Sequence, residues 1–227
     1  EVGHLWYIYM IIGIYLFAPI ISPWIKTAPA GQFYYFFALW AITNLIVYIH
    51  IKFKYIWGEC FWNNTPMLHN FTGHTGYAVL GAFIKIHLHD KNYYILGAVL
   101  IVVGWAVTYA IFEIQRRRHV EWCYQLEYSW SFHSLNVVAA ALGFFLLFRK
   151  IECSNEKISK LISDIALKSY GMFLCHIMIL DLFHYLIDPQ NIYAYFSIPT
   201  MAICTFIATY LVVKLISYIP YSQYIIG

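Results

Sequence analysis

The feature that most constrains this chain is its succession of apolar blocks, each about as long as a bilayer is thick and separated by short polar stretches. A hydrocarbon core about 30 Å across takes about 20 helical residues, and inside it every backbone N–H and C=O must find its partner within the protein. Blocks of that length dictate α-helices. We place spans near His4–Trp24, Phe33–Ile51, Phe71–Ile86, Tyr93–Ile114, Trp130–Phe148, Ile165–Ile187 and Ile198–Ile219. The expected fold class is all-α, a polytopic transmembrane helical bundle of about seven spans, read as one domain over residues 1–227.

Composition excludes the soluble alternative. Only 11% of the residues are charged and 62% are hydrophobic, whereas a soluble domain needs about 25% charged residues to keep its surface wet. The net charge of +3 sits in short connections and forms no basic stripe, so no nucleic-acid partner is expected. The bilayer is the partner that this composition requires. Leu5–Ile25 is too long for a signal-peptide core and lacks a basic leader, and so reads as a span. Cys60, Cys123, Cys153, Cys175 and Cys204 show no metal-ligand spacing, so no metal is expected. Cys175 and Cys204 read as small packing residues. Cys60 and Cys123 both fall in outer loops, and a disulfide between them requires Cα atoms within about 7 Å.

The third span holds Gly73, Gly76 and Gly81, which let a helix approach its neighbours closely and suit an interior position. Trp6, Trp24, Tyr34, Tyr35, Tyr93, Tyr94, Trp130, Tyr193 and Tyr195 crowd the block ends, as an interfacial belt does. Lysine and arginine set the orientation. One side carries Lys26, Lys85, Lys91, Arg149, Lys150, Lys157, Lys160, Lys168 and Lys214; the other carries Lys52, Lys54, Arg116, Arg117 and Arg118. The larger set is read as cytoplasmic, with the C-terminus inside and Glu1 outside. His4, His50, His69, His74, His119, His133 and His184 then lie at or near the outer surface, and His176 near mid-membrane. An ionisable side chain at that depth is costly and points to function. A hydrogen-bonded core histidine is the plain reading of any one of them, whereas the group suggests an outward-opening polar cavity.

Three stretches carry more than hydrophobicity. Gly3-His4-Leu5-Trp6-Tyr7-Ile8-Tyr9 runs into Pro19; Gly76-Tyr77 runs into Leu80-Gly81-Ala82-Phe83; Ser169-Tyr170-Gly171-Met172-Phe173-Leu174-Cys175-His176 places Ser169, Phe173 and His176 on one helical face. Together with the tail Pro220–Gly227, their order and spacing resemble the integral-membrane acyltransferase family (acyltransferase 3), which includes bacterial O-acetyltransferases of surface polysaccharides. The resemblance covers essentially the whole chain. The late motif departs from the pattern at Phe173, where tyrosine is usual, and at Cys175.

The resemblance implies about ten spans in the whole family domain and an Arg…His pair on its first span. Neither residue has a counterpart here, so the chain reads as a C-terminal portion lacking its N-terminal spans, inactive if isolated. It also implies a reaction: an acyl group, usually acetyl, moves from acyl-CoA (acetyl-CoA) to a hydroxyl of a cell-surface glycan or lipid-linked sugar. The implied location is the bacterial inner (plasma) membrane. Acyl transfer needs a base for the hydroxyl proton and donors for the oxyanion. Histidine suits the base role because it titrates near neutrality, and the resemblance implies that this base lies on the family's first span; His176 and His4 are the catalytic candidates here, in supporting roles such as orienting the acceptor or holding the acyl carbonyl. Trp6, Tyr9, His74, Glu113, Ser169 and Tyr170 are the substrate-binding candidates. The plain alternatives are membrane anchoring for Trp6 and Tyr9, interhelical hydrogen bonding for Ser169 and Tyr170, and an ion pair with Arg116 or Arg117 for Glu113. The rival function is a polytopic carbohydrate or lipid transporter, which a flux assay without acyl-CoA separates from an enzyme. A retinal protein is disfavoured because Lys214 sits at the end of the last span instead of its middle.

Overall fold

The structure, a computed structural model, describes residues 6–50, 71, 73–88, 92–118, 126–187 and 193–222. Among these residues it contains seven α-helices and no strand: α1 (Trp6–Thr27), α2 (Ala30–His50), α3 (Thr75–His87), α4 (Tyr94–Arg117), α5 (Leu135–Phe148), α6 (Glu156–Ile187) and α7 (Ala194–Ile216). Each falls on one of the expected spans. By length and hydropathy α1, α4, α6 and α7 are able to cross a membrane, and α2, at 21 residues, is of similar length. The chain is an integral membrane protein built as a helical bundle.

At three helix starts the departure from the apolar block has a local reason. α6 begins at Glu156 and not near Ile165. The Asn155 side-chain oxygen accepts hydrogen bonds from the backbone of Lys157 (3.0 Å) and Ile158 (3.3 Å), which is an N-cap. Glu156 then pairs with Lys160 at 2.6 Å, one turn on. α5 begins at Leu135 and not Trp130 because serines take the preceding backbone into turns: the Ser129 hydroxyl donates to Leu126 O (2.7 Å) and that of Ser134 to Ser131 O (2.6 Å). α3 begins after Gly73, whose φ of 75° is left-handed and breaks the helix there.

The chain divides into two compact units, one of Ile8–Ile151 and the other of Glu152–Gly227 with the first seven residues. In the first, α4 and α5 approach until their backbones touch. A Cβ on Gly97 would lie 2.9 Å from the Gly143 carbonyl oxygen, one on Gly143 2.6 Å from the Gly97 oxygen, and one on Gly104 2.6 Å from the Asn136 oxygen. Small residues at such crossings give the dispersion contact that replaces the hydrophobic effect in lipid. Buried Asn136 ties the same region together. Its side-chain oxygen accepts from the Tyr48 hydroxyl (2.6 Å), and its amide donates to the Thr108 hydroxyl (2.6 Å) and the Ser129 carbonyl (2.8 Å). Every polar atom of that amide group is thereby used, as burial demands.

α2 and α3 meet over aromatic rings. Phe33, Phe36, Trp40, Val79, Phe83, Ile84 and Leu146 form the buried core. Gly76 lies flat on Trp40, since a Cβ there would fall 2.0 Å from the indole. The indole N–H donates to Gly73 O at 3.2 Å. α3 therefore buries one face, as its glycines suggested, although Gly81 has open space beside it. Trp24 is more than an interfacial ring: it packs on Phe33 (5.1 Å) and Phe36 (5.9 Å), and its N–H donates to Gln32 (2.8 Å). The second unit is simpler: α6 and α7 pack antiparallel, with Met172 and Val213 buried between them.

Candidate functional site

The late motif sits on α6, where the helical period gathers Ser169, Met172, Phe173, His176 and Leu180 into one stripe. Across from it α7 presents Ile198, Met201, Ala202, Thr205, Phe206 and Thr209, at the same three-and-four spacing. Between the stripes lies a groove of about 650 Å³, lined also by Ile165. The expected Ser169–Phe173–His176 face is thus the wall of a real cavity. Its character differs from the polar cavity anticipated, because most of its lining is aliphatic, aromatic or thioether.

His176 is half-buried in this wall. Its Nδ1 lies 2.6 Å from the Phe173 carbonyl oxygen on the preceding turn. A carbonyl only accepts, so Nδ1 carries the proton, and in the neutral ring Nε2 keeps its lone pair. The ring is held from the side as well. Phe173 lies 5.4 Å from it, and Tyr7, at the head of α1, packs on Phe173 at 4.8 Å.

Ser169 lines the groove, but its hydroxyl donates to Ala166 O on its own helix at 2.8 Å. Seven residues separate it from His176, roughly 10 Å of helix rise. The two cannot address one hydroxyl. Thr205 was not among the candidates read from the sequence. It is 8% exposed, lines the groove, and its hydroxyl oxygen has no hydrogen-bond partner. Thr209, one turn on, bonds back to the Thr205 carbonyl at 2.8 Å. The signal that was available is the Thr205–Thr209 pair within an otherwise apolar stripe.

The remaining candidates lie elsewhere. Tyr170 is exposed and outside the groove lining, and Trp6 and Tyr9 are exposed, which fits anchoring. His4 lies outside the described residues, as do His69, His119, Cys60 and Cys123. Glu113, in the first unit, is held by arginines: Arg116 grips both of its oxygens at 2.8 Å, and Arg117 reaches one at 2.8 Å. The ion-pair reading of Glu113 is what the structure displays. His74, also in the first unit, faces His133 edge-on at 5.3 Å and Phe132 at 5.8 Å. Tyr77 fixes that corner by donating its hydroxyl to Phe132 O at 2.6 Å. This unit has a cavity of its own, about 360 Å³, lined by Phe17, Ile21, Trp24, Gln32, Tyr35, Phe36 and Phe71. Among the described residues no group of three or more His, Cys, Asp or Glu side chains is placed to hold a metal ion.

No curated protein and no solved structure matches the chain. The family model described as an acyltransferase domain matches residues 2–221, nearly the whole of the 227. With its apolar helices, and with a match that spans nearly its whole length, the chain belongs to this family of membrane acyltransferases.

Proposed function

We propose that the protein moves an acyl group, acetyl in the first instance, from acyl-CoA to a hydroxyl of a cell-surface glycan or lipid-linked sugar. His176 takes part in this reading as the acceptor of the attacking hydroxyl's proton. The observation that carries its role is the Nδ1–H bond to Phe173 O, which makes Nε2 the acceptor nitrogen of the neutral ring. The hydroxyl oxygen bonds to the thioester carbonyl carbon as its proton passes to Nε2. The tetrahedral oxyanion collapses, the C–S bond breaks, and the proton leaves with the thiolate as CoA thiol. Thr205 is the groove residue best placed to hydrogen-bond a ligand oxygen, because its buried hydroxyl is unpartnered. Membranes from cells expressing the gene, given acetyl-labelled acetyl-CoA, should gain alkali-labile label in the glycan or lipid-linked sugar fraction. Label confined to free acetate or to protein amines contradicts the reading.

The orientation that suits this reaction puts the C-terminus and the α6 start in the cytoplasm of a bacterial inner membrane. Lys157, Lys160, Lys168 and Lys214 on one end of the second unit support it. A cysteine introduced at Asn155 should resist an impermeant thiol reagent added to intact cells and react after permeabilisation. Labelling in intact cells would invert the topology.

A further inference from the structure

The α6–α7 groove is long and apolar, lysines cluster beyond its Ile165–Thr209 end, and it is this end that identifies an occupant. Its lining runs from Ile165 to Leu180 on α6, roughly 22 Å of helix, whereas one leaflet's hydrocarbon is about 15 Å deep. Ile165, Met172, Met201, Phe206 and Leu180 give it walls suited to a hydrocarbon chain, and methionines adapt to a chain of irregular outline.

At the Ile165–Thr209 end a chain of polar groups joins the helices. The Lys168 ammonium pairs with Asp164, and the Tyr210 hydroxyl donates to the other Asp164 oxygen at 2.6 Å. Lys214 donates to the Tyr210 hydroxyl at 3.2 Å. Asp164 is thus shared between an ammonium and a phenol, and among the described residues Lys214 has no carboxylate within salt-bridge distance. Lys157, Lys160, Lys168 and Lys214 stand against only Glu156 and Asp164 on this end of the two helices. A half-buried ammonium at a helix end beside lipid calls for an anion.

We propose that this groove seats one anionic phospholipid, its phosphate at Lys214 and Lys168 and one acyl chain along the α6–α7 groove. A soluble anion would satisfy the lysines and leave the groove unused; a neutral lipid would do the reverse. An anionic phospholipid uses both. The inference stands on the groove and the lysine cluster and does not rest on the acyl-transfer reading.

The test is native mass spectrometry of the full chain in neutral detergent, offered phosphatidylglycerol and phosphatidylcholine of identical chains. Wild type should retain the anionic lipid about fivefold over the neutral one, the preference expected from one lysine near a headgroup. Lys214→Gln should remove that preference, Lys214→Arg should keep it, and the exposed Lys157→Gln should leave it unchanged. Ala202→Trp, which fills the groove, should lower retention of both lipids. Size-exclusion profiles of each variant confirm that it is folded. Equal retention of the two lipids by wild type overturns the proposal, as does unchanged selectivity in Lys214→Gln. Loss of the lipid to inorganic phosphate alone shows a free-anion site and also overturns it. Retention unchanged in Ala202→Trp places the lipid elsewhere and does the same.

Discussion

Gly143→Leu should abolish recovery of folded protein. A Cβ at this position falls 2.6 Å from the Gly97 carbonyl oxygen and 2.9 Å from the Ile101 backbone nitrogen. Both obstacles are backbone atoms of α4, so no rotamer change relieves them. The helices must move apart, and separation also pulls Asn136 from Thr108. Overpacking alone costs about 1–3 kcal/mol, and a buried amide or hydroxyl left unsatisfied adds about 1–3 kcal/mol. Few membrane domains have stability to spare on that scale. Gly143→Ala should be intermediate, lowering the melting temperature without abolishing folding. Gly81→Ala is the control, because nothing lies within 4 Å of its Cβ position; there alanine's helix propensity should leave stability equal or slightly raised. Fluorescence-detected size exclusion and thermal melts in detergent give the comparison. A monodisperse Gly143→Leu with an unchanged melting temperature would show that the α4–α5 contact is looser than described.

The fold was legible in the sequence because a bilayer leaves few choices. Apolar blocks of spanning length must be helices, and each of the seven helices falls on one. What apolar content does not encode is where a helix starts once it leaves the hydrocarbon. There the Asn155 cap extended α6, and the Ser129–Ser134 turns shortened α5. Both signals are local and polar, and averaging over a hydrophobic window hides them. The Ser169–Phe173–His176 face was legible from spacing alone. Its facing wall was not, and the reason is physical. In water an apolar stripe marks a buried face; in lipid it does not. Ile95 is 84% exposed and Leu167 71% exposed on helices whose opposite faces pack inward. The α7 stripe from Ile198 to Thr209 therefore looks like any lipid-facing surface until α6 is set beside it. The Glu113 ion pair was readable because its arginines lie three and four residues on, within one helical turn. Trp24 read as an interfacial ring and also packs on Phe33 and Phe36, since a tryptophan at a block end suits both a belt and a core.

His176→Ala should lower acyl transfer by about 10²-fold or more, the usual contribution of a positioned proton acceptor. The loss should fall on kcat more than on KM, since Nε2 acts as the hydroxyl attacks. Folding should be spared, because the Nδ1 hydrogen bond goes to the ring's own helix and Phe173 and Tyr7 pack on each other without the ring. His176→Gln, which carries an amide at about the reach of Nε2 but no basic nitrogen, should keep substrate affinity and remain slow. The most direct measurement is acetyl transfer from labelled acetyl-CoA by membranes carrying wild type, His176→Ala and His176→Gln, matched for folded protein by size exclusion. The account predicts normal amounts of folded protein and kcat down about 10²-fold in both variants; a His176→Ala protein that transfers acetyl at the wild-type rate would contradict it.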